Sequence, residues 1–150
     1  MQKLHFSLQI NAPVAKVWDT MLEDATYRQW TKAFGADGYF KGDWSTGSKM
    51  HFVGIDAESG KEMGMVSRIA ENRHHAHLSI EHLGIFADGV EDTTSEEARK
   101  WSPAFENYTF TEKDGGTLVE IDQDMLEDYV PMFTEMWPEA LNHLKALAEA

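Results

Sequence analysis

The chain has 150 residues, with 13 Lys and Arg against 26 Asp and Glu, and a formal net charge of −13. The absence of Cys excludes disulfides, thiolate metal sites and a cysteine nucleophile, and the negative charge disfavours nucleic acid and anionic lipid as partners. Because 42% of the residues are hydrophobic, the chain can bury a core, and we expect a single domain over residues 1–150.

The first elements are predicted by two different periodicities. Apolar residues alternate with polar ones over residues 4–10, which predicts a strand with one buried face. Pro13 suits the first turn of a helix, and the apolar residues that follow recur at helical spacing over 14–22. A second short helix is expected over 25–31.

A series of strands occupies the middle of the chain. Alternating apolar residues and turn-forming residues predict strands at 39–40, 49–52, 63–71, 75–81, 103–110 and 117–125. Asn72-Arg73 is expected to separate the strand at 63–71 from the strand at 75–81. Hairpin turns are predicted at 58–61 and 113–116.

Residues 84–101 are the least regular segment of the sequence. Thr94-Ser95-Glu96-Glu97 has the spacing of a capping box, which predicts a short helix running to Trp101. Two interpretations of the segment remain open. It is either a lid over an interior cavity or a surface excursion without that role.

The longest predicted element is a C-terminal helix over 128–150, with Asp128 as its cap and an apolar stripe along one side. Pro138 lies in its interior and is expected to kink it. The order of strand, two short helices, five or six strands and a long helix predicts an α+β fold with an antiparallel sheet.

Several motifs resemble the START-like (SRPBCC) superfamily. Ile10 to Trp18 matches its opening pattern I-x-A-P-x-x-x-V-W, and Asp24 with Trp30 resembles the segment that follows. Residues 106–110 and the Met136-Trp137 pair are similar to its later strand and its final helix. The resemblance is nearest to the branch of heat-shock chaperone ATPase activators. It implies a helix-grip fold, in which a curved sheet wraps around the C-terminal helix and encloses a cavity for apolar ligands.

Methionine and aromatic residues on the predicted inner faces are candidates for the wall of that cavity. Ordinary core packing is the alternative interpretation for each of them. Tyr27, Trp30 and Tyr108 would also supply polar groups that orient a ligand. The full candidate set is Tyr27, Trp30, Phe40, Met50, Phe52, Met65, Leu78, Ile80, Tyr108, Phe133, Met136 and Trp137.

Neither a metal nor a cofactor is predicted. His75 and His77 share a face of one expected strand, but a structural zinc site usually needs four ligands. The residues Glu120, Asp122 and Asp124 alternate with apolar residues and are expected to form a solvated outer face. The sequence contains no G-x-S-x-G, no P-loop and no G-x-G-x-x-G.

Three functions remain open. The first is binding of a small apolar or amphipathic ligand; the second is a cyclase or aromatase acting on a hydrophobic substrate, with catalytic residues unknown and His82 or His74 as candidate acid–base groups. The third is a chaperone-interaction module, with a chaperone or a second copy of the chain as partner. The N-terminus lacks a signal-peptide pattern and no stretch reaches the ~18 apolar residues of a membrane span, so a cytoplasmic location without membrane insertion is expected.

Overall fold

The computed structural model of the protein describes residues 1–35 and 37–150. Short 3₁₀ turns at Thr31–Phe34 and Glu127–Tyr129 supplement the regular elements. In chain order these are β1 (Gln2–Ile10), α1 (Val14–Leu22), α2 (Asp24–Trp30), β2 (Tyr39–Lys41), β3 (Lys49–Ile55), β4 (Glu62–Arg73), β5 (His77–Ala87), β6 (Val90–Asp92), α3 (Glu96–Arg99), β7 (Ala104–Lys113), β8 (Gly116–Met125) and α4 (Val130–Glu149).

The described residues form one antiparallel sheet of eight strands. Its order is β1-β8-β7-β5-β4-β3-β2, and β6 pairs with the end of β5. The sheet curves around α4, and the two short helices α1 and α2 follow the first strand. The predicted α+β helix-grip fold is therefore confirmed, although the sheet has eight strands, whereas the sequence predicts a first strand followed by five or six others.

The main core lies between the sheet and the helices α1, α2 and α4. Apolar residues that alternate along each strand face α4, because successive side chains of a strand point to opposite faces. The helix contributes a stripe that repeats every three or four residues. Its fully buried members and their neighbours on the sheet include Trp137, Ala140, Leu141, Leu144, Ala148, Ile10, Ile69, Leu78, Val119 and Ile121.

Strands β4 and β5 extend beyond their predicted bounds. β4 continues through Asn72 and Arg73, and the chain turns at His74–Ala76 instead. β5 continues to Ala87, so the predicted irregular segment 84–101 is wrong over its first part, and β6 follows. The cause is a pair of register shifts in the β4–β5 ladder, between Val66 and Ser67 and between Ile69 and Glu71, which interrupt simple alternation. The short helix predicted in this segment is present as α3, capped by Ser95, but it ends at Arg99 rather than at Trp101.

The C-terminal helix begins later than predicted. Asp128 lies in the preceding 3₁₀ turn, and Tyr129 occupies the cap position without a side-chain hydrogen bond, so the predicted Asp128 cap is wrong. Pro131 lies in the first turn, where no backbone donor is required. The helix runs unbroken past Pro138. Among the described residues, no helix combines the length and the apolar character that a membrane crossing requires.

Candidate functional site

A cavity of about 440 Å³ lies between the first half of α4 and the sheet. Its other walls come from α2, the 3₁₀ turn that follows it, and strands β3, β4, β5, β7 and β8. Eight aromatic side chains dominate its lining: Tyr27, Trp30, Phe34, Phe52, Trp101, Tyr108, Phe133 and Trp137. The volume lies within the range of roughly 300–1,000 Å³ that is usual for small-molecule sites.

Gly54 keeps part of the cavity open. It lies on β3 opposite Met63 of β4, at a position whose neighbours along the sheet carry large side chains. A Cβ added at Gly54 would meet only the Met63 carbonyl oxygen, at an ordinary contact distance of 3.9 Å. The missing side chain therefore leaves volume that a larger residue would fill.

The cavity reaches the surface beside Met63 and Ile55, which are 49% and 37% exposed. Trp101 lines the cavity and packs on Tyr129 with 5.3 Å between ring centroids. Within the segment 84–101, Trp101 is the described residue that lines the cavity, while α3 packs against β5. A lid role for this segment stays a prediction.

The Glu106 carboxylate is the centre of a buried hydrogen-bond network at one end of the cavity. Its Oε1 accepts hydrogen bonds from His82 Nε2 at 3.3 Å and from Gln123 Nε2 at 3.1 Å. Its Oε2 accepts a hydrogen bond from the Tyr108 hydroxyl. The Glu106 side chain is 17% exposed, so these three bonds replace much of the water that a carboxylate otherwise binds.

The network extends in two directions from Glu106. On one side, His82 Nδ1 is hydrogen-bonded to the hydroxyl of the fully buried Ser67 at 2.7 Å. On the other side, Gln123 Oε1 accepts a hydrogen bond from Trp137 Nε1 at 2.8 Å. A continuous chain of polar contacts thus joins β4, β5, β7 and β8 to α4.

Burial and the network together set the charge state of this site. Burial alone raises the pKa of the Glu106 carboxyl. The hydrogen bond and the electrostatic attraction of His82, with the hydrogen bonds of Tyr108 and Gln123, outweigh burial and hold that pKa below its ordinary value. Burial and the neighbouring Glu106 carboxylate raise the pKa of Tyr108 well above its ordinary value, and they raise the pKa of Tyr27 as well. At neutral pH the site therefore combines an ionised carboxylate with two neutral phenols.

Seven of the twelve predicted ligand residues line the cavity, and their contact with a ligand stays a prediction. They are Tyr27, Trp30, Phe52, Met65, Tyr108, Phe133 and Trp137. Met50 and Leu78 are fully buried in the packed core, and Phe40 packs against Tyr27 and Trp44. Ile80 borders a separate void of about 20 Å³, and Met136 is half-buried on α4 away from the cavity.

Glu106 and Gln123 are the main residues absent from the predicted set. Both have a signal in the sequence. Glu106 alternates with Tyr108 and Phe110, and Gln123 stands between Ile121 and Met125, so both lie on inward strand positions. A polar residue at an inward position of a strand needs buried partners, which marks it as a candidate functional group.

The histidines that the sequence singles out lie in different surroundings. His82 reaches the network, whereas His74 is exposed in the turn before β5 and stacks on His75, so its predicted place on an apolar strand face is wrong. His75 lies in the same turn and does not share a strand face with His77. The described residues contain no group of three or more His, Cys, Asp and Glu arranged to hold a metal.

The acidic residues Glu120 and Asp122 of β8 point outward as predicted, whereas Asp124, near the end of the strand, also borders the cavity. Asp122 is paired with His5 at 2.8 Å, and Asp124 is paired with Lys3 at 3.1 Å. Asp124 also accepts a hydrogen bond from the Phe105 backbone N–H at 3.0 Å. These charges are compensated by neighbours on the outer side of the sheet.

A family model described as "Activator of Hsp90 ATPase homolog 1-like protein" matches residues 11–149. The chain belongs to this family. Its place in the START-like (SRPBCC) superfamily, in the branch of the chaperone ATPase activators, agrees with the helix-grip fold. None of the curated proteins matches the chain.

Solved structures share the fold over nearly the whole chain. The Aha1 dimer from Colwellia psychrerythraea is 13% identical with a TM-score of 0.70, over 99% of this chain and 97% of that one. The AHSA1-like protein from Aeromonas hydrophila is 14% identical with a TM-score of 0.71, over 99% and 92%. DynU16, a protein in the dynemicin biosynthetic locus, is 15% identical with a TM-score of 0.69, over 100% of this chain and 48% of its own.

Proposed function

We propose that the protein binds a small apolar or amphipathic ligand in the cavity between α4 and the sheet. The observation that carries this proposal is a cavity of about 440 Å³ with aromatic walls and a buried polar network at one end. Sites for small molecules usually combine mostly apolar walls with a few polar groups. The occurrence of DynU16 in a biosynthetic locus also supports a small-molecule role for this fold.

Affinity would come mainly from burial of apolar ligand surface, at roughly 25 cal/mol per Å² before the costs of association. The Glu106 network would orient the ligand.

The absence of Cys supports the further proposal of a reducing, cytoplasmic environment.

Native mass spectrometry of the freshly purified protein tests the proposal directly. We expect a retained small molecule, and we expect the variant Gly54→Leu to lose it because the new side chain fills the cavity. Ser7→Leu adds the same side chain to an exposed position of β1 and serves as the control. An unliganded mass, together with no binding of an apolar probe such as 2-methylnaphthalene, would contradict the proposal.

Catalysis on a hydrophobic substrate is an alternative function. It is suggested by the contacts of His82 and Tyr108 with Glu106, since all three side chains can transfer protons. General acids and bases work best with pKa values near the operating pH. Here the lowered pKa of Glu106 makes it a weak base, and the raised pKa of Tyr108 makes it a weak acid. Both shifts favour a binding role, and a cyclisation activity that Glu106→Gln abolishes without loss of binding would reverse this conclusion.

Chaperone interaction is a second candidate, supported by the family description and by large apolar side chains that are exposed on the surface. They include Ile55, Met63, Tyr129 and Met132. Addition of the protein to an Hsp90-type chaperone is expected to raise its ATPase rate under this hypothesis, and an unchanged rate without co-precipitation would exclude it.

A further inference from the structure

The charged groups around the cavity are mainly acidic. Among the described residues that line it, the carboxylates are Glu106 and Asp124, and neither Lys nor Arg is present. Asp124 already has Lys3 and the Phe105 backbone N–H as partners. Glu106 is therefore the charged group that a ligand would meet inside the cavity.

The hydrogen bonds of Glu106 leave room for one more donor. A carboxylate offers about four lone-pair positions. Oε1 accepts two hydrogen bonds, from His82 and Gln123, whereas Oε2 accepts one, from Tyr108. Within the described residues, one acceptor position on Oε2 is thus unfilled.

The other polar side chains of the lining offer little to an anionic ligand. The indole N–H of Trp30 donates to the Met21 carbonyl at 3.0 Å, and that of Trp137 donates to Gln123. Both ends of the Gln123 amide are engaged. The Tyr27 hydroxyl makes no hydrogen bond to a described residue, but it is neutral and stands in the field of Glu106.

We propose that the cavity selects apolar ligands that carry a hydrogen-bond donor, such as a phenol, an alcohol or an amine, and rejects carboxylates. The donor binds Glu106 Oε2, and the Tyr27 hydroxyl is available to the acceptor lone pair of a phenol or an alcohol. A carboxylate would be buried against the negative charge of Glu106, which is costly in a low-dielectric site. The described lining offers neither Lys nor Arg to compensate it, and both ring nitrogens of His82 are already engaged, by Glu106 and by Ser67. This inference rests on the proposed ligand-binding function.

Isothermal titration calorimetry at neutral pH with four matched naphthalenes tests the preference. We expect 2-naphthol to bind about tenfold tighter than 2-methylnaphthalene, the gain of one hydrogen bond to a charged group. We expect 2-naphthoate to bind at least about tenfold weaker than the methyl compound. The fourth compound, 2-(aminomethyl)naphthalene, carries a cationic donor, whereas the donor of 2-naphthol is neutral. Whichever of these two compounds binds more tightly shows which kind of donor the cavity prefers.

Glu106→Gln keeps the size of the side chain and removes its charge. We expect this variant to bind naphthol, methylnaphthalene and naphthoate with affinities within a few-fold of one another. The control Glu120→Gln makes the same change on the outer face of β8, away from the cavity, and is expected to keep the wild-type ranking. If Glu106→Gln does not fold, the wild-type ranking decides the question by itself.

The outcomes separate the two proposals. The donor preference would be overturned if naphthoate bound as tightly as methylnaphthalene, or if neither naphthol nor the amine bound more tightly than methylnaphthalene. Either result would leave the proposal of an apolar binding cavity intact. No binding of any of the four compounds would contradict the proposed function itself.

Discussion

The two halves of α4 face the same sheet but create different interiors. Toward the C-terminus, Ala140, Leu141 and Leu144 pack against the sheet with almost no exposed surface. Toward the N-terminus, Phe133 and Trp137 face a cavity of about 440 Å³. The helix and the sheet are continuous across both halves, so the backbone architecture alone does not explain the difference.

Side-chain size and polarity account for the difference. Apolar residues of matching size fill the C-terminal half, as close packing of a protein interior requires. In the N-terminal half, Gly54 leaves volume and Glu106 brings a charge that needs polar partners rather than apolar neighbours. The comparison shows how a few residues convert part of a helix-grip core into a binding site.

The largest effect on stability is expected at the packed half. Leu144→Ala removes a fully buried side chain and should lower the free energy of unfolding by about 2–5 kcal/mol. Chemical denaturation measures this loss, and the half-buried Leu147→Ala provides the control with a smaller loss. A loss below about 1 kcal/mol at Leu144 would mean that this half is not tightly packed.

Trp137→Phe tests the junction between the two halves. An aromatic side chain is retained, although phenyl is smaller than indole. The hydrogen bond to Gln123 Oε1 is lost, and this buried acceptor is left without its donor. We expect the free energy of unfolding to fall by about 1–3 kcal/mol. Thermal and chemical denaturation measure this loss. The control Trp18→Phe makes the same change at another buried position, where the indole N–H has no hydrogen bond to a described residue, and a loss there as large as at Trp137 would mean that the hydrogen bond to Gln123 contributes little.

The charge of Glu106 predicts a pH dependence that the packed half lacks. Because the folded-state pKa of Glu106 is lowered, its ionisation stabilises the fold above the unfolded-state pKa of about 4.3, and this stabilisation is lost as the pH falls through the lower folded-state pKa. We expect the difference in unfolding free energy between wild type and Glu106→Gln to be widest at neutral pH and to narrow in acid. The carboxylates common to both proteins cancel in this difference, so a gap that does not change with pH would contradict the assignment.

The smallest effect on stability is expected for Gly54→Leu. Its Cβ meets no close atom, and replacement of a strand glycine removes a backbone entropy cost of roughly 0.5–1 kcal/mol. We expect a change in unfolding free energy of less than about 1 kcal/mol together with loss of ligand binding. A destabilisation as large as that of Leu144→Ala would show that the space beside Gly54 is already filled.

Periodicity predicted most of the fold because the strands and helices with one buried face repeat their apolar residues regularly. Examples are β1, whose inward residues alternate, and α4, whose stripe continues past Pro138. β5 was predicted too short because register shifts against β4 disturb the alternation that identifies a strand. Asp128 was expected at the helix cap, but the chain adds a 3₁₀ turn there, which local sequence does not distinguish from a helix start.

The aromatic side of the candidate site was easier to predict than its polar side. Residues such as Phe52 and Trp137 are apolar and alternate with polar neighbours, so their inward direction follows from spacing. Glu106 was overlooked because an acidic residue is usually solvated, and its three donors come from positions 82, 108 and 123. Only the register of the sheet brings those positions together, and spacing along the chain does not reveal it.

The distribution of tryptophan gives the protein an internal optical reporter. Three of its five Trp residues, Trp30, Trp101 and Trp137, line the cavity. Indole emission responds to nearby polarity and to aromatic quenchers, so displacement of water by a ligand would shift the intrinsic fluorescence without any added label. Trp101 lines the cavity where it packs on Tyr129, and Trp137 lies at the polar end, so single Trp→Phe variants would distinguish occupancy near Tyr129 from occupancy near the Glu106 network.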